Sequence, residues 1–137
     1  NRIGVRWDEL NEFADGLKRF ENLKIDGIMT HFASADNDTD FTNLQIKRFN
    51  QSVELLQEKG FRPTFRDMAN SPASVGHPAS RGNMVRLGGV LYGLGGDVLP
   101  KDIEKPELKA VMSLHTKIAF LKRVPKGETI GYSRTFE

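Results

Sequence analysis

Eight residues of this 137-residue sequence are of types, and in places, that could do chemistry: Arg2, His31, Asn70, Ser71, Arg86, Gly88, Gly89 and Tyr132. The stretch GNMVRLGGVLYGL, residues 82–94, poses the sharpest question. Its hydrophobic run is broken by one arginine, Arg86, and then by the pair Gly88 and Gly89. A guanidinium keeps its proton at any accessible pH, so a buried one needs a partner. Either a carboxylate pairs with Arg86, or Arg86 faces something that uses a permanent cation. Amides freed at a Gly-Gly turn, with the Ser71 hydroxyl from a neighbouring strand, would make a cradle for a phosphate group. The plainer alternative is a tight turn at Gly88 and Gly89 and a helix cap at Ser71. His31 alone reads as a hydrogen-bonded core histidine, and Arg2 as a solvated surface charge. Tyr132, one of two tyrosines, packs by default; as a base it would need a nearby cation to lower its ordinary pKa of about 10. His31, His77 and His115 stand in three unrelated contexts without ligand spacing, even with Asp36 close to the first, so no metal site is expected.

Elements must place these groups together. Leu10, Phe13, Leu17 and Phe20 recur at helical spacing, so WDELNEFADGLKRF reads as an amphipathic helix. IDGIMTHFASA reads as a continuously apolar strand, the pattern of one buried on both faces in a parallel sheet. A helix is expected over residues 41–59, capped by Asp40, stopped by Gly60, with Phe49, Val53 and Leu56 as its inner stripe. FRPTFRDMANS and MVRLGGVLYG read as a second and a third strand. The order implies right-handed βαβ units, with His31, the Asn70–Ser71 pair and Arg86 to Gly89 at strand C-termini, where parallel α/β folds build their sites. After about Lys105 the pattern changes. Ala110, Met112, Leu114, Ile118 and Phe120 alternate with more polar neighbours, which predicts a half-buried strand, then a turn at Pro125 and a second strand from Thr129. A boundary near residue 105 therefore separates an α/β part from the start of a β part. Three parallel strands leave sheet edges unpaired, and a closed (β/α)8 barrel needs roughly 250 residues. The sheet is either small and open or a piece of something larger, and the second is favoured.

Composition narrows the class. Hydrophobic residues make up 38% and charged residues 28%, as in ordinary globular domains. A formal net charge of +2, from 20 Lys and Arg scattered among 18 Asp and Glu, gives no basic stripe for nucleic acid. There is no cysteine, so no disulfide framework, and a reducing cytoplasm fits. No run approaches the roughly 18 apolar residues of a membrane span, and no signal peptide opens the chain.

Five segments, in this order, resemble the pyridoxal-phosphate-dependent alanine racemases: NRIGV, THFASAD, MANSPAS, NMVRLGGVLYGL and SLHTKIAFLKRVPKGETIGYSRTF. They span almost the whole chain. The resemblance implies an α/β fold, the C-terminal portion of a (β/α)8 barrel over residues 1–105, followed by the beginning of a β domain over 106–137. It implies a cytoplasmic homodimer with an active site shared across the interface. The implied reaction interconverts L- and D-alanine, supplying D-alanine for cell-wall synthesis, by a two-base proton exchange on pyridoxal 5'-phosphate. Carried over by position, Ser71, Gly88 and Gly89 hold the cofactor phosphate, with Asn70 nearby. Arg86 faces the pyridine nitrogen, where a permanent cation disfavours protonation and weakens the ring as an electron sink. His31 bridges Arg86 and Tyr132. Arg2 binds the substrate carboxylate, and Tyr132 is the base acting on the partner's cofactor. The second base of the family, the Schiff-base lysine, has no match; Lys18, Lys24, Lys47 and Lys59 are not credible substitutes, so the chain alone is expected to be inactive. Pro72 and Gly89 depart from the family pattern, which usually has a small non-proline residue and an aliphatic residue there. The alternatives are a serine or broad-specificity racemase of the same family, a non-catalytic pyridoxal-phosphate-binding barrel, or a small structural domain in which these residues only cap and pack.

Overall fold

The computed structural model describes residues 3–136. Three parallel strands, β1 (Gly27–Met29), β2 (Phe65–Ala69) and β3 (Met84–Val85), form one sheet in the order β1-β2-β3. Gly27 pairs with Phe65 and Met29 with Asp67; on the other side Asp67 pairs with Met84 and Ala69 with Val85, with a register irregularity between them. Helix α1 (Leu10–Leu17) precedes the sheet, α2 (Thr39–Glu58) connects β1 to β2, and the short α3 (Ser71–Gly76) with a 3-10 turn (Pro78–Ser80) leads to β3.

The core forms where α2 lies on one face of this sheet. Ile46, Phe49 and Val53 of α2 pack with Phe32, Ala35, Met68, Ala69 and Ala73, and Ile28 adds to the cluster. The expected inner stripe of α2 is buried as anticipated, Leu56 included. Its start differs. The cap is Asp38, whose carboxylate accepts the Phe41 amide at 2.9 Å, and Asp40 lies inside the first turn. Asp38 is extended, the conformation that lets its side chain fold back, whereas residues 39 and 40 are already helical. At the other end Gly60 adopts φ +93°, and the Gly60 and Phe61 amides return to the Gln57 and Leu56 carbonyls, so glycine does end the helix.

Other expectations need correction. β1 is not buried on both faces: Ile28 packs toward α2, whereas Met29 is 60% exposed. α1 buries only Ala14; Phe13 and Phe20 remain exposed. A polar contact ties it to α2's end, Lys59 Nζ lying 2.6 Å from Asp15, and just before it the Arg48 guanidinium stands 4.6 Å above the Trp7 ring. The third strand is two residues long and exposed, because the chain turns at Gly88 into a 3-10 segment (Gly89–Tyr92) closed by Gly93 at φ +79°. A side chain at Gly93 would strike the Lys109 carbonyl, which its Cβ would approach to 2.4 Å.

Beyond residue 105 no strand pairing exists among the described residues except one antiparallel bridge between Ile130 and Phe136. The expected half-buried strand is instead exposed along its length, and Leu114 reaches 98%. Alternation supplies a face, but a strand needs a neighbour's carbonyls and amides to form.

Candidate functional site

At the C-terminal ends of the three strands, polar groups converge. Asn70 follows β2 directly and caps α3, its side-chain oxygen accepting the Ala73 amide at 3.2 Å. With Asn70 as the cap, Ser71 is freed from that duty. Its buried hydroxyl accepts the Gly88 amide at 2.8 Å and lies 3.5 Å from the Val90 amide. Two amides of the 88–90 turn thus point at one oxygen. A Cβ on Gly88 would meet nothing closer than that hydroxyl, 3.8 Å away, so there is room beside it. Gly89 has a different reason to be glycine: its Cβ would stand 2.9 Å from a Val98 methyl, so Val98 fills the volume a larger side chain would take.

Arg86 does have a carboxylate partner. Its Nη1 faces Asp67 Oδ1 in an ion pair sealed from solvent, and outside the pair neither atom has a hydrogen-bond partner among the described residues. Nη2 donates to the Thr30 carbonyl at 2.9 Å and meets His31 Nδ1 at 3.2 Å. The Arg86 backbone is itself fixed by its amide, which donates to the Ala69 carbonyl at 2.8 Å. A guanidinium only donates, so His31 Nδ1 is the accepting nitrogen and Nε2 carries the ring proton of the neutral form.

The structure therefore brings together His31, Asn70, Ser71, Arg86, Gly88 and Gly89, contributed by three successive strand ends. It does not bring Tyr132 to them: that side chain is fully exposed, at the start of a 3-10 turn (Tyr132–Arg134). Arg2 lies outside the described residues. Three groups at the site escaped the sequence reading, namely Asp67, the Thr30 carbonyl and the Val90 amide. Of these, Asp67 alone is a side chain, and with Arg66 beside it in the sequence nothing local marks it as the partner of Arg86. The chemistry available is that of an anion cradle next to a fixed guanidinium–imidazole pair. Among the described residues no three His, Cys, Asp or Glu side chains could share a metal ion. A cleft of about 380 Å³ lies elsewhere, between Asp36, His77 and residues 100–103, where His77 Nε2 is engaged with the Ala35 carbonyl at 2.9 Å. Among the described residues no helix is long and apolar enough to cross a membrane.

Known proteins resemble this chain in sequence and in fold. The chain is 40% identical over 141 residues to an alanine racemase of Citrifermentans bemidjiense, covering 98% of this chain and 36% of that protein. It is 38% identical over 125 residues to an alanine racemase of Pediococcus pentosaceus, covering 90% of this chain and 32% of that one. Among solved structures, alanine racemase from Bacillus anthracis with bound L-Ala-P superposes with a TM-score of 0.77 at 36% identity, over 99% of this chain and 36% of that chain. Alanine racemase from Clostridium difficile gives 0.78 at 32% identity, with the same coverage. The chain thus spans about a third of the length of the relatives it matches. Residues 1–95 match the family described as alanine racemase, N-terminal domain, and the chain belongs to that family.

Proposed function

We propose that this chain is the part of an alanine racemase that holds the phosphate and the ring of pyridoxal 5'-phosphate. The convergence of the Gly88 and Val90 amides on Ser71, a few residues from the Arg86–His31 contact, carries the reading. The residues fit the cofactor. A phosphate oxygen accepts amide hydrogens more strongly than a hydroxyl does, and on its arrival Ser71 can turn from acceptor to donor. Ser71, Gly88 and Gly89 would hold the phosphate, with the Val90 amide added to them, and Asn70 supports Ser71 by capping α3. Bound there, pyridoxal phosphate supplies a ring able to take up the charge left when the substrate's α-proton departs. Arg86 would face the ring nitrogen as a donor that brings no removable proton. His31 connects Arg86 to the tyrosine, and Arg2 binds the substrate carboxylate.

Tyr132 is the base, holding and returning a proton at its phenolic oxygen. Its full exposure in the single chain suits a residue that works on the partner's site in a homodimer. Residues 1–105 then belong to a (β/α)8 barrel, and residues 106–137 begin a β domain. The other base of the exchange is a lysine outside this chain. Lys18 and Lys59 both contact Asp15, and Lys24 contacts Asp26, so these three already serve as surface ion-pair partners. The chain alone is inactive on this reading, and the whole protein is a cytoplasmic enzyme that supplies D-alanine for the cell wall.

A chimera tests it: this chain replaces the matching segment of the Citrifermentans bemidjiense alanine racemase, and D-alanine formation from L-alanine is followed with pyridoxal phosphate present. Activity in the chimera is expected, along with loss of racemisation in its Tyr132→Phe form without loss of cofactor. Equal rates in the two forms would remove Tyr132 from its role. A folded, cofactor-loaded chimera with no activity would favour the non-catalytic carrier.

A further inference from the structure

We infer that Asp67 is a positioning residue: its buried carboxylate fixes the Arg86 guanidinium, and through it the ring tautomer of His31. Asp67 lies at the centre of the sheet, paired with Met29 on one side and Met84 on the other. Strand alternation sends its side chain to the face opposite Met68, away from the core under α2. On that face it meets Arg86 Nη1, leaving Nη2 for the Thr30 carbonyl and His31 Nδ1. A guanidinium is planar, so restraining one terminal nitrogen against a carboxylate and the other against a carbonyl settles its orientation. The donor offered to His31 is then fixed in place, and Nδ1 stays the accepting nitrogen. The pair also changes what Arg86 presents to a ligand. With Asp67 ionised beside it, Arg86 acts as an oriented donor whose charge is compensated rather than as an isolated cation. A bound ring nitrogen therefore feels less repulsion toward its own proton than an unpaired arginine would impose. Only this last consequence rests on the cofactor reading.

The experiment has two arms, both on the chain as it stands. In the first, without any ligand, nitrogen NMR reads the His31 ring tautomer and the exchange of the Arg86 side-chain protons. In the native chain His31 carries its proton on Nε2. Asp67→Asn should mix the tautomers and speed Arg86 exchange at least severalfold, and Asp67→Glu should restore part of the native signature. A native signature in Asp67→Asn overturns the inference. Asp67→Asn strands a buried cation and can unfold the chain, so the paired variant Asp67→Leu with Arg86→Met is measured too. It should fold, and its His31 should lose the Nε2–H preference; retention of that preference also overturns the inference. In the second arm pyridoxine 5'-phosphate, which has no aldehyde to react with lysines, is added and its ring absorption is read. Asp67→Asn should shift the bound ring toward the form unprotonated at nitrogen. An altered His31 signature with no change in ring absorption keeps Asp67 as the positioning residue and counts against the cofactor reading.

Discussion

The sheet with α2 and the segment from Ala110 to Leu121 both carry apolar residues at regular spacing, and they meet opposite fates. Phe49 is 5% exposed and Phe120 is 78% exposed. The stripe on α2 closes over Ile28 and Met68, side chains of two different strands. The alternating residues after Lys109 have no such surface among the described residues, and their backbone has no strand to pair with. Periodicity thus determines which side chains share a face. Burial depends on whether a second surface is present, and a single segment's sequence does not carry that.

The strongest way to break this contrast is to truncate one phenylalanine in each region. Phe49→Ala should cost about 3–5 kcal/mol, the loss of a buried ring plus the cavity it leaves. Phe120→Ala should change stability by no more than about 0.5 kcal/mol, as exposed positions do. Urea unfolding of the two variants measures both. Equal destabilisation would mean that Phe120 is packed in solution and that the two regions do not differ as described.

A second, smaller effect concerns the turn that forms the anion cradle. Gly89→Val must displace Val98, whose methyls would lie 2.9 and 3.2 Å from the new Cβ. Overpacking of this kind costs about 1–3 kcal/mol, and Val98→Ala in the same chain should recover most of it. Gly96 is the internal comparison, since a Cβ there meets nothing within 4 Å. Thermal unfolding of Gly89→Val, Gly96→Ala and the double variant separates a specific clash from a general glycine effect. If Gly96→Ala costs as much as Gly89→Val, the Val98 contact is not the cause.

How much of this was legible in the sequence follows the same division. Strand order, the parallel pairing, the α2 stripe and the glycine stop at Gly60 could be read because local spacing and the βαβ grammar encode them. The grouping of His31, Ser71 and Arg86 followed from strand ends, since consecutive parallel strands deliver their C-termini to one edge. The pairing of Asp67 with Arg86 was not legible: 19 positions separate the two, and only the β2–β3 register brings them together. The length of β3 was overestimated because MVRLGGVLYG has the composition of a strand, while the turn at Gly88 and Gly89 decides its conformation. The strand expected after Lys105 failed for want of a neighbour.

The cap of α2 gives a third test, of about 1 kcal/mol. Asp38→Ala removes the acceptor for the Phe41 amide and should lose roughly that amount. Asp40→Ala removes only a charge near the helix N-terminus, worth about 0.3–1 kcal/mol and reduced by salt. Measured in high salt, Asp38→Ala should remain destabilised while Asp40→Ala approaches the native chain. The reverse order would restore Asp40 as the cap.

The smallest effect probes α1, which stands between the two regions because it buries one alanine and has a polar contact with the end of α2. The hydrogen bond from Lys59 holds the Asp15 carboxyl below its ordinary 3.8, with desolvation opposing the shift and the charges of Lys59 and Lys18 assisting it. A carboxyl whose pKa is lowered on folding stabilises the fold above its unfolded value, and that contribution fades as pH falls through the lowered one. Lys59→Met should therefore melt slightly below the native chain at pH 6, and the gap should close toward pH 2. Asp15 is exposed, so the gap at pH 6 should also shrink in 1 M salt, where the Debye length falls to about 3 Å. A gap that persists at pH 2 would trace instead to the lysine's half-buried alkyl stem, which methionine replaces imperfectly. In that case α1 would be held by packing after all, and would belong with the sheet and α2 rather than between the two regions.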